Sequence, residues 1–353
     1  MSDYNILLLA GDGIGPEITG EAVKVLEAVG RKFGHTFSFT EALIGGIAID
    51  ETGTPLPGKT LALVKTSDAV LLGAVGGPKW DTTDPTKMRP EQGLLALRKD
   101  MKVFANVRPV KAYKQLLNAS TLKDEVIKDV DLVIVRELIG GIYFGEKKRT
   151  STSATDTCDY DIDQIDDILK FAYLIAKGRR KKITSVDKAN VLETSRLWRE
   201  RAKTILELDK SIQYDNMLVD NCAMQLIRNP AQFDVIVTEN MFGDILSDEA
   251  AMLTGSIGML SSGSFGSEKP ALFEPIHGSA PDIAGKNIAN PLGTISSCAL
   301  MLRSSFELDE EADAIEKAID AALEKGYRTL DIMESNKTRV LTAEMGDLIS
   351  EEI

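Results

Sequence analysis

Histidine is nearly absent: the 353 residues contain two, His35 and His277. Acid–base chemistry in such a chain falls to lysine, tyrosine and the carboxylates. Cysteine is scarce too. Cys158, Cys222 and Cys298 are odd in number, widely spaced and in no ligand pattern. That excludes a disulfide scaffold and a thiolate zinc site and fits a reducing, cytoplasmic setting. No apolar run is long enough to span a bilayer, which excludes a membrane protein of the helical kind. The opening Met1-Ser-Asp-Tyr-Asn lacks the basic flank and cleavage site of a leader, so Ile6–Ala10 reads as a first strand. Positive charge is in deficit, with 41 Lys and Arg against 54 Asp and Glu and a net charge of -13. No basic face compensates, which excludes nucleic acid or an anionic membrane as partner. Repeats and low-complexity linkers are missing. Apolar content of 43% and charged content of 27% are ordinary for a globular chain, and the length supports one large or two ordinary domains.

Strand and helix patterns alternate along the chain, which predicts an α/β fold. Ile6–Ala10 feeds Gly11-Asp-Gly-Ile-Gly-Pro-Glu17 and an amphipathic helix over about 16–33. Pro16 and Glu17 suit a first helical turn. The glycine spacing is G-x-G-x-G and lacks the two-residue gap of the dinucleotide fingerprint, so this is not a Rossmann turn. It remains a strand–turn–helix of the kind that faces ligands, or a plain tight turn.

Glu91, Leu94, Leu95 and Arg98 fall at i, i+3, i+4 and i+7 and share one helix face. The leucines alone suit a core. With Glu at one end and Arg at the other, the face suits a small pocket gripping a branched apolar group and an anion. Arg108 and Arg136 close two further apolar runs, Val103–Pro109 and Asp131–Glu137, each predicted as a strand ending in arginine. Guanidinium suits bidentate carboxylate recognition, although each arginine alone is equally a surface residue. Tyr143 stands among glycines, where backbone approaches ligand closely. Residues about 147–161 read as a polar excursion, and Arg179-Arg-Lys-Lys182 as a solvated turn. Asp159, Asp161 and Asp163 resemble a calcium loop but lack its glycine and closing glutamate, and read as solvated helix-start acids.

Lys188 follows the strand Ile183–Asp187, and Asp220 is predicted at the end of the strand over 214–219. Asp244 and Asp248 lie four apart after Asp234–Thr238, with a helix predicted from Ile245 onward. Two carboxylates on one helix face offer hard oxygen to Mg2+ or Mn2+. An acidic first turn favoured by the helix dipole accounts for the same pair. Further on, the loop after Phe273 holds His277, suited to stack on a purine, and Asp282, suited to accept from ribose hydroxyls while repelling a 2′-phosphate. An ordinary surface loop is the alternative.

Gly11-Asp-Gly-Ile-Gly-Pro-Glu17, Leu94-Leu95-x-Leu97-Arg98, Asn106-x-Arg108-Pro109, Arg136-Glu-Leu-x-Gly-Gly-Ile-Tyr-Phe-Gly145, Val186-Asp-Lys-Ala-Asn-Val191, Asp220-Asn221, Phe242-Gly-Asp-x-Leu-Ser-Asp248 and His277-Gly-Ser-Ala-Pro-Asp-Ile-Ala-Gly285 occur in one order. In these motifs the chain resembles the isocitrate/isopropylmalate dehydrogenase family of β-hydroxyacid oxidative decarboxylases, nearly end to end. Within it, the resemblance is to the isopropylmalate branch.

The resemblance implies a two-domain α/β fold with a mixed sheet. Residues 1–103 and 256–353 would form the large cofactor domain. Residues 104–255 would form the central one, with the dimer interface and an arm at about 140–160. It implies NAD-dependent oxidative decarboxylation of 3-isopropylmalate in leucine biosynthesis. Arg98, Arg108 and Arg136 would hold the malate carboxylates, Tyr143 and a partner subunit's Lys188 would move protons, and Asp244, Asp248 and a partner subunit's Asp220 would bind Mg2+ or Mn2+. Ile14, His277, Gly278, Ser279, Ala280, Asp282 and Asn290 would bind NAD, and Glu91 would serve the substrate site. Relatives acting on isocitrate carry Ser and Asn where this chain has Leu94 and Leu95. Those leucines with Val191 would cup an isopropyl group, since a carboxylate buried against them would be unpaired. Asp282-Ile283 replaces the Lys-Tyr pair of NADP-dependent relatives, which favours NAD. Ile139 departs from the branch's usual threonine. Turnover of D-malate, tartrate or homoisocitrate, or a non-catalytic binding protein on the same fold, are the competing expectations.

Overall fold

The computed structural model describes residues 2–84 and 86–353; Met1 and Pro85, both within the expected segment 1–103, lie outside the described residues. In chain order the first strands are β1 (Asp3–Gly11), β2 (Thr36–Glu41), β3 (Ala69–Ala74), β4 (Val103–Lys111) and β5 (Asp131–Glu137). Then come β6 (Lys147–Arg149), β7 (Ala154–Asp156), β8 (Lys182–Asp187), β9 (Gln213–Leu218), β10 (Val235–Thr238), β11 (Ser261–Gly266) and β12 (Ala271–Pro275). The chain divides into two compact units. The first holds residues up to Lys102, 113–120 and 254–353; the second holds 103–112 and 121–253. Residues 113–120, central in sequence, therefore pack with the chain ends. Buried Arg328 pins this piece, donating from Nη2 to the Gln115 carbonyl at 2.6 Å.

In the first unit the strand order is β2-β1-β3-β12-β11. β1 pairs in parallel with β2 and β3, β12 runs parallel to β3, and β11 is antiparallel to β12. The helix Gly15–Phe33 buries Ile18, Ala22, Val25, Leu26 and Val29, the spacing of a single face. Pro16 and Glu17 open it, Arg31 and Lys32 close it, and Gly34 at φ 76° ends it in the left-handed cap that favours glycine. Its apolar face meets Ile6, Leu71 and Phe273 of the sheet, along with Ile295, Leu302, Ile315 and Met345 of the C-terminal helices, in one core.

In the second unit the order is β4-β5-β10-β8-β9. β4 is antiparallel to β5, and the remaining pairs are parallel. β5, β8 and β10 are buried almost throughout because helices cover them. The helix Ile162–Lys177 starts on an Asp161–Gln164 capping box. β6 and β7 form a separate, wholly exposed two-stranded hairpin. No helix among the described residues is long and apolar enough to cross a membrane.

Three local expectations change. The helix predicted from Ile245 begins at Asn240 and runs to Ala251. Asp220 lies in the first turn of the helix Val219–Arg228, beyond the strand end. Arg108 is mid-strand in β4, while Arg136 is the penultimate residue of β5.

The basic run at 179–182 begins in a turn with Arg180 and Lys181 exposed, but Arg179 is more than a solvated cation. Arg179 donates to the fully buried Asp234 at 2.8 Å and to Asp131 at 2.7 Å, and Arg180 donates to the Phe233 carbonyl at 2.6 Å. The overall negative charge hid this role, because a lone buried carboxylate needs a cation wherever the sequence places one. Arg179→Ala should therefore cost about 3–5 kcal/mol of unfolding free energy in urea, since it leaves the Asp234 charge buried without a cation, held only by the Lys182 N–H at 3.2 Å. A loss below about 1 kcal/mol would return Arg179 to the ordinary surface class.

Candidate active site

Within the second unit, strand pleating decides which side chains meet. Asn106 pairs in register with Arg136, so Asn106, Arg108 and Arg136 share one face of the β4–β5 ladder. The helix Asn240–Ala251 packs over that face, and Gly243 makes the approach close: a Cβ there would stand 2.7 Å from the Arg136 side chain. Asp244 and Asp248, one turn apart, then reach the guanidiniums.

Arg136 is buried and donates from Nε and Nη2 to Asn240 Oδ1 at 3.0 and 2.8 Å. Its Nη1 binds Asp244, and its guanidinium lies over the Tyr143 ring. Tyr143 donates its hydroxyl proton to Asp244 at 2.9 Å. Arg108, also buried, is fixed by Asn106 at 2.8 Å and Ser247 at 2.6 Å, and reaches Asp248 at 3.3 Å. No acid lies in the first turn of this helix, so the dipole reading of Asp244 and Asp248 fails.

Burial, then the neighbouring Asp244, holds the Tyr143 phenol above its usual range. Burial also raises the Asp248 carboxyl, against the pull of Arg108.

Lys188 and Asp220 form a second cluster, with Nζ 2.6 Å from Oδ1. That hydrogen bond lowers the Asp220 carboxyl, which therefore stays ionised. Lys188 follows Asp187, itself gripped by two Arg199 nitrogens at 2.7 and 2.8 Å. Val191 is exposed one turn onward. The structure thus separates Asp220 from Asp244 and Asp248 in one chain. Among the described residues no group of three acids, histidines or cysteines is placed to hold a metal.

In the first unit, Leu97 takes the core position of the helix Pro90–Asp100, leaving Leu94 and Leu95 half-buried and Glu91 exposed. A pure core stripe would bury all three leucines. Arg98 is buried and bound through Nη2 to Glu274 at 2.6 Å, while its buried Nε has no partner. Glu274, 176 positions away, was invisible to local pattern reading.

A cavity of about 430 Å³ in the same unit is lined by Ile14, His277, Gly278, Ala280 and Asn290 among the expected cofactor residues. Ser279 and Asp282 do not line it. Ser279 is buried, and its carbonyl accepts from the Ile14 N–H at 2.9 Å. Gly13 (φ +59°) allows this approach, because a Cβ there would stand 2.0 Å from the Ser279 oxygen. Asp282 is exposed, with its backbone carbonyl bound by Lys286 at 2.7 Å. Asp12 ties the same loop down, accepting from the N–H groups of Gly46, Ile47 and Gly76 at 2.7–2.8 Å. The His277 Nδ1 faces the Gly278 carbonyl at 2.9 Å, which assigns its proton to Nδ1. Nε2 is left as a buried, unpartnered acceptor, and burial keeps the ring neutral. Leu330 and Asp331 also line the cavity and belong to no motif. Asp331 accepts from Ser256 at 2.5 Å and Asn290 at 3.0 Å.

Buried acids back the second unit. Glu239, 5% exposed, precedes the helix Asn240–Ala251, and burial followed by the Glu137 and Asp187 charges pushes its carboxyl up from 4.5 to about 7. Such a group binds its proton more tightly when folded. Its contribution to stability is complete below about pH 4.5 and is lost as pH rises through about 7, on the order of 3 kcal/mol in all. Glu239→Gln should remove that part of the slope, so urea unfolding at pH 5 and pH 8 should differ less in the variant than in the wild type. Equal slopes would place the titration elsewhere.

The chain matches the family model "Isocitrate/isopropylmalate dehydrogenase" over residues 5–349. It is 57% identical over 349 residues to a 3-isopropylmalate dehydrogenase of Halalkalibacterium halodurans, covering 96% of each chain. A 3-isopropylmalate dehydrogenase of Geobacillus kaustophilus is also 57% identical, over 98% of this chain and 94% of that one. Among solved structures, an isocitrate dehydrogenase from Methylococcus capsulatus superposes with a TM-score of 0.88 at 34% identity, covering 99% of both chains. With that extent of match, the chain belongs to the isocitrate/isopropylmalate dehydrogenase family.

Proposed function

We infer that this chain oxidises and decarboxylates (2R,3S)-3-isopropylmalate to 4-methyl-2-oxopentanoate, reducing NAD and releasing CO2, as a step of leucine biosynthesis. The observation that carries the reading is the pairing of Arg108 and Arg136 with Tyr143, Asp244 and Asp248, in a chain more than half identical to proteins of that name.

The charged guanidiniums of Arg98, Arg108 and Arg136 bind the two substrate carboxylates, exchanging their present acid partners for substrate oxygens. Lys188, reaching in from the second copy, helps remove the proton of the substrate hydroxyl through the ionised Asp220 beside it or through water, as hydride departs to NAD. Tyr143 keeps its phenol proton at neutral pH and gives it to the enol carbon after CO2 leaves. Leu94, Leu95 and Val191 cup the isopropyl group, and Glu91 borders that site.

Asp244, Asp248 and an Asp220 from a second copy offer all-carboxylate oxygen donors, the set Mg2+ or Mn2+ prefers. When bound, that ion is a Lewis acid that eases loss of the hydroxyl proton and steadies the enolate. Ile14, His277, Gly278, Ala280 and Asn290 hold NAD. The cavity's apolar walls and the free His277 Nε2 fit an adenine base, and Ser279 acts by placing Ile14. Asp282 is kept as the ribose acid because its side chain is exposed, although Asp331 is the acid that lines the cavity.

The working unit of this reading is a homodimer. Met224, Ile227 and Ile245 are exposed on the packed helices Val219–Arg228 and Asn240–Ala251, an apolar surface a second copy would cover. The exposed β6–β7 hairpin is the arm of the same interface. The units of the fold serve as the cofactor domain and the dimer-forming domain. Three unpaired thiols agree with a cytoplasmic setting.

Leu94→Ser with Leu95→Asn should lower kcat/KM on 3-isopropylmalate roughly 100-fold while leaving NAD affinity within about twofold. Equal losses in both would remove the leucine cup. Site sharing has its own test. Lys188→Ala and Asp248→Ala homodimers should be inactive, whereas the purified mixed dimer, with one intact site of two, should regain about half the wild-type rate. A dead mixed dimer would place all these groups in one subunit's site.

A further inference from the structure

Tyr160 is a buried phenol that none of the motifs contains. Its hydroxyl accepts from the Asn240 N–H at 2.9 Å and lies beside the Glu137 carboxyl group. Glu137, fully buried, also accepts from the N–H groups of Ile139 at 2.7 Å and Gly140 at 2.9 Å. Asn240 continues the chain of contacts. Its Oδ1 receives two Arg136 nitrogens, and its Nδ2 donates to the Gly140 carbonyl at 3.2 Å. The ring of Tyr160 is also a mould for the following turn. A Cβ on Gly140 would stand 2.4 Å from its Cε1, and one on Gly141, at φ +74°, 2.6 Å from its hydroxyl. Trp198 backs the ring edge-on at 6.0 Å.

The hydroxyl therefore meets the start of the helix that carries Asp244, while the ring shapes the turn that leads from β5 to Tyr143. All of these atoms lie inside the second unit. A buried network whose members are all paired fixes geometry, and removing one member strands the others.

We propose that Tyr160 is a positioning residue for the reaction, aligning Arg136 through Asn240 and setting Tyr143 through the Gly140–Gly141 turn. The proposal rests on the roles given above to Arg136 in carboxylate binding and to Tyr143 in proton donation. Asn240, one bond nearer to Arg136, is the link through which the effect passes.

Tyr160→Phe keeps the ring against the glycines and removes only the hydroxyl. In the dimeric holoenzyme it should raise KM for 3-isopropylmalate and lower kcat, each about tenfold, with KM for NAD within about twofold. Asn240→Ala leaves the Tyr160 ring and Glu137 in place and should give the same split in KM. The double variant should lose little beyond the worse single variant, because both act along one path. A Tyr160→Phe enzyme with a lower unfolding midpoint but wild-type kcat and KM would overturn the proposal. So would additive losses in the double variant. Should Tyr160→Phe fail to fold, Asn240→Ala decides alone, and an unchanged KM for 3-isopropylmalate would count against it. Failure of the underlying reading looks different. It would show as full kcat in Tyr143→Phe, or as no turnover of 3-isopropylmalate by the wild type.

Discussion

Two carboxylates one helical turn apart repel each other, and the second unit is arranged so that this repulsion is opposed. Asp244 and Asp248 each engage an arginine fixed on the sheet below, Arg136 and Arg108. The arginines are more buried than the acids, with side chains 4% and 7% exposed against 36% and 58%. The guanidiniums thus form the floor and the carboxylates the rim. Two positive and two negative groups leave the cluster near neutrality. A divalent cation and a dicarboxylate add opposite and equal charge, so loading both keeps that balance. Either one alone would leave buried charge uncompensated. On the proposed reading, the cluster therefore suits a metal–substrate pair better than either component alone.

The same economy of environment separates the acid from the ligand among these groups. Tyr143 is pushed up by burial and by Asp244, so it holds its proton until a carbanion demands it. Asp220 is pulled down by Lys188 and stays ionised. With two histidines in the chain, and His277 kept neutral by burial, the proposed reading gives the proton work to Tyr143, Lys188 and Asp220. The cost is a set of buried acids beneath the floor, Glu137 and Glu239, whose carboxyls burial raises, that of Glu239 to about 7.

Much of this was legible in the chain because motif residues sit where an element ends or a turn tightens. Gly13, Gly140 and Gly243 mark close backbone approaches, and Asp244 and Asp248 keep helical spacing wherever the helix begins. Positions set by long-range packing were not legible. Glu274 meets Arg98 across half of the sequence, Asp331 joins the cavity from a short turn without a motif, and Arg179 serves a buried Asp234 from within a basic run. Arg108 looked terminal because proline follows it, yet β4 continues past Pro109 to Lys111. Asp220 looked like a strand-end acid because the apolar run conceals the helix start at Val219. Periodicity reports faces, while partners many residues away depend on tertiary geometry.

The central claim is that the arginine-framed acids take a metal and a branched dicarboxylate together. Its most direct test is NADH formation by the purified dimer with 3-isopropylmalate, isocitrate or D-malate, each with Mg2+ and with chelator. The account predicts turnover of 3-isopropylmalate alone, abolished by chelation and restored by Mg2+ or Mn2+. Faster turnover of isocitrate or D-malate, or activity indifferent to chelation, would contradict it.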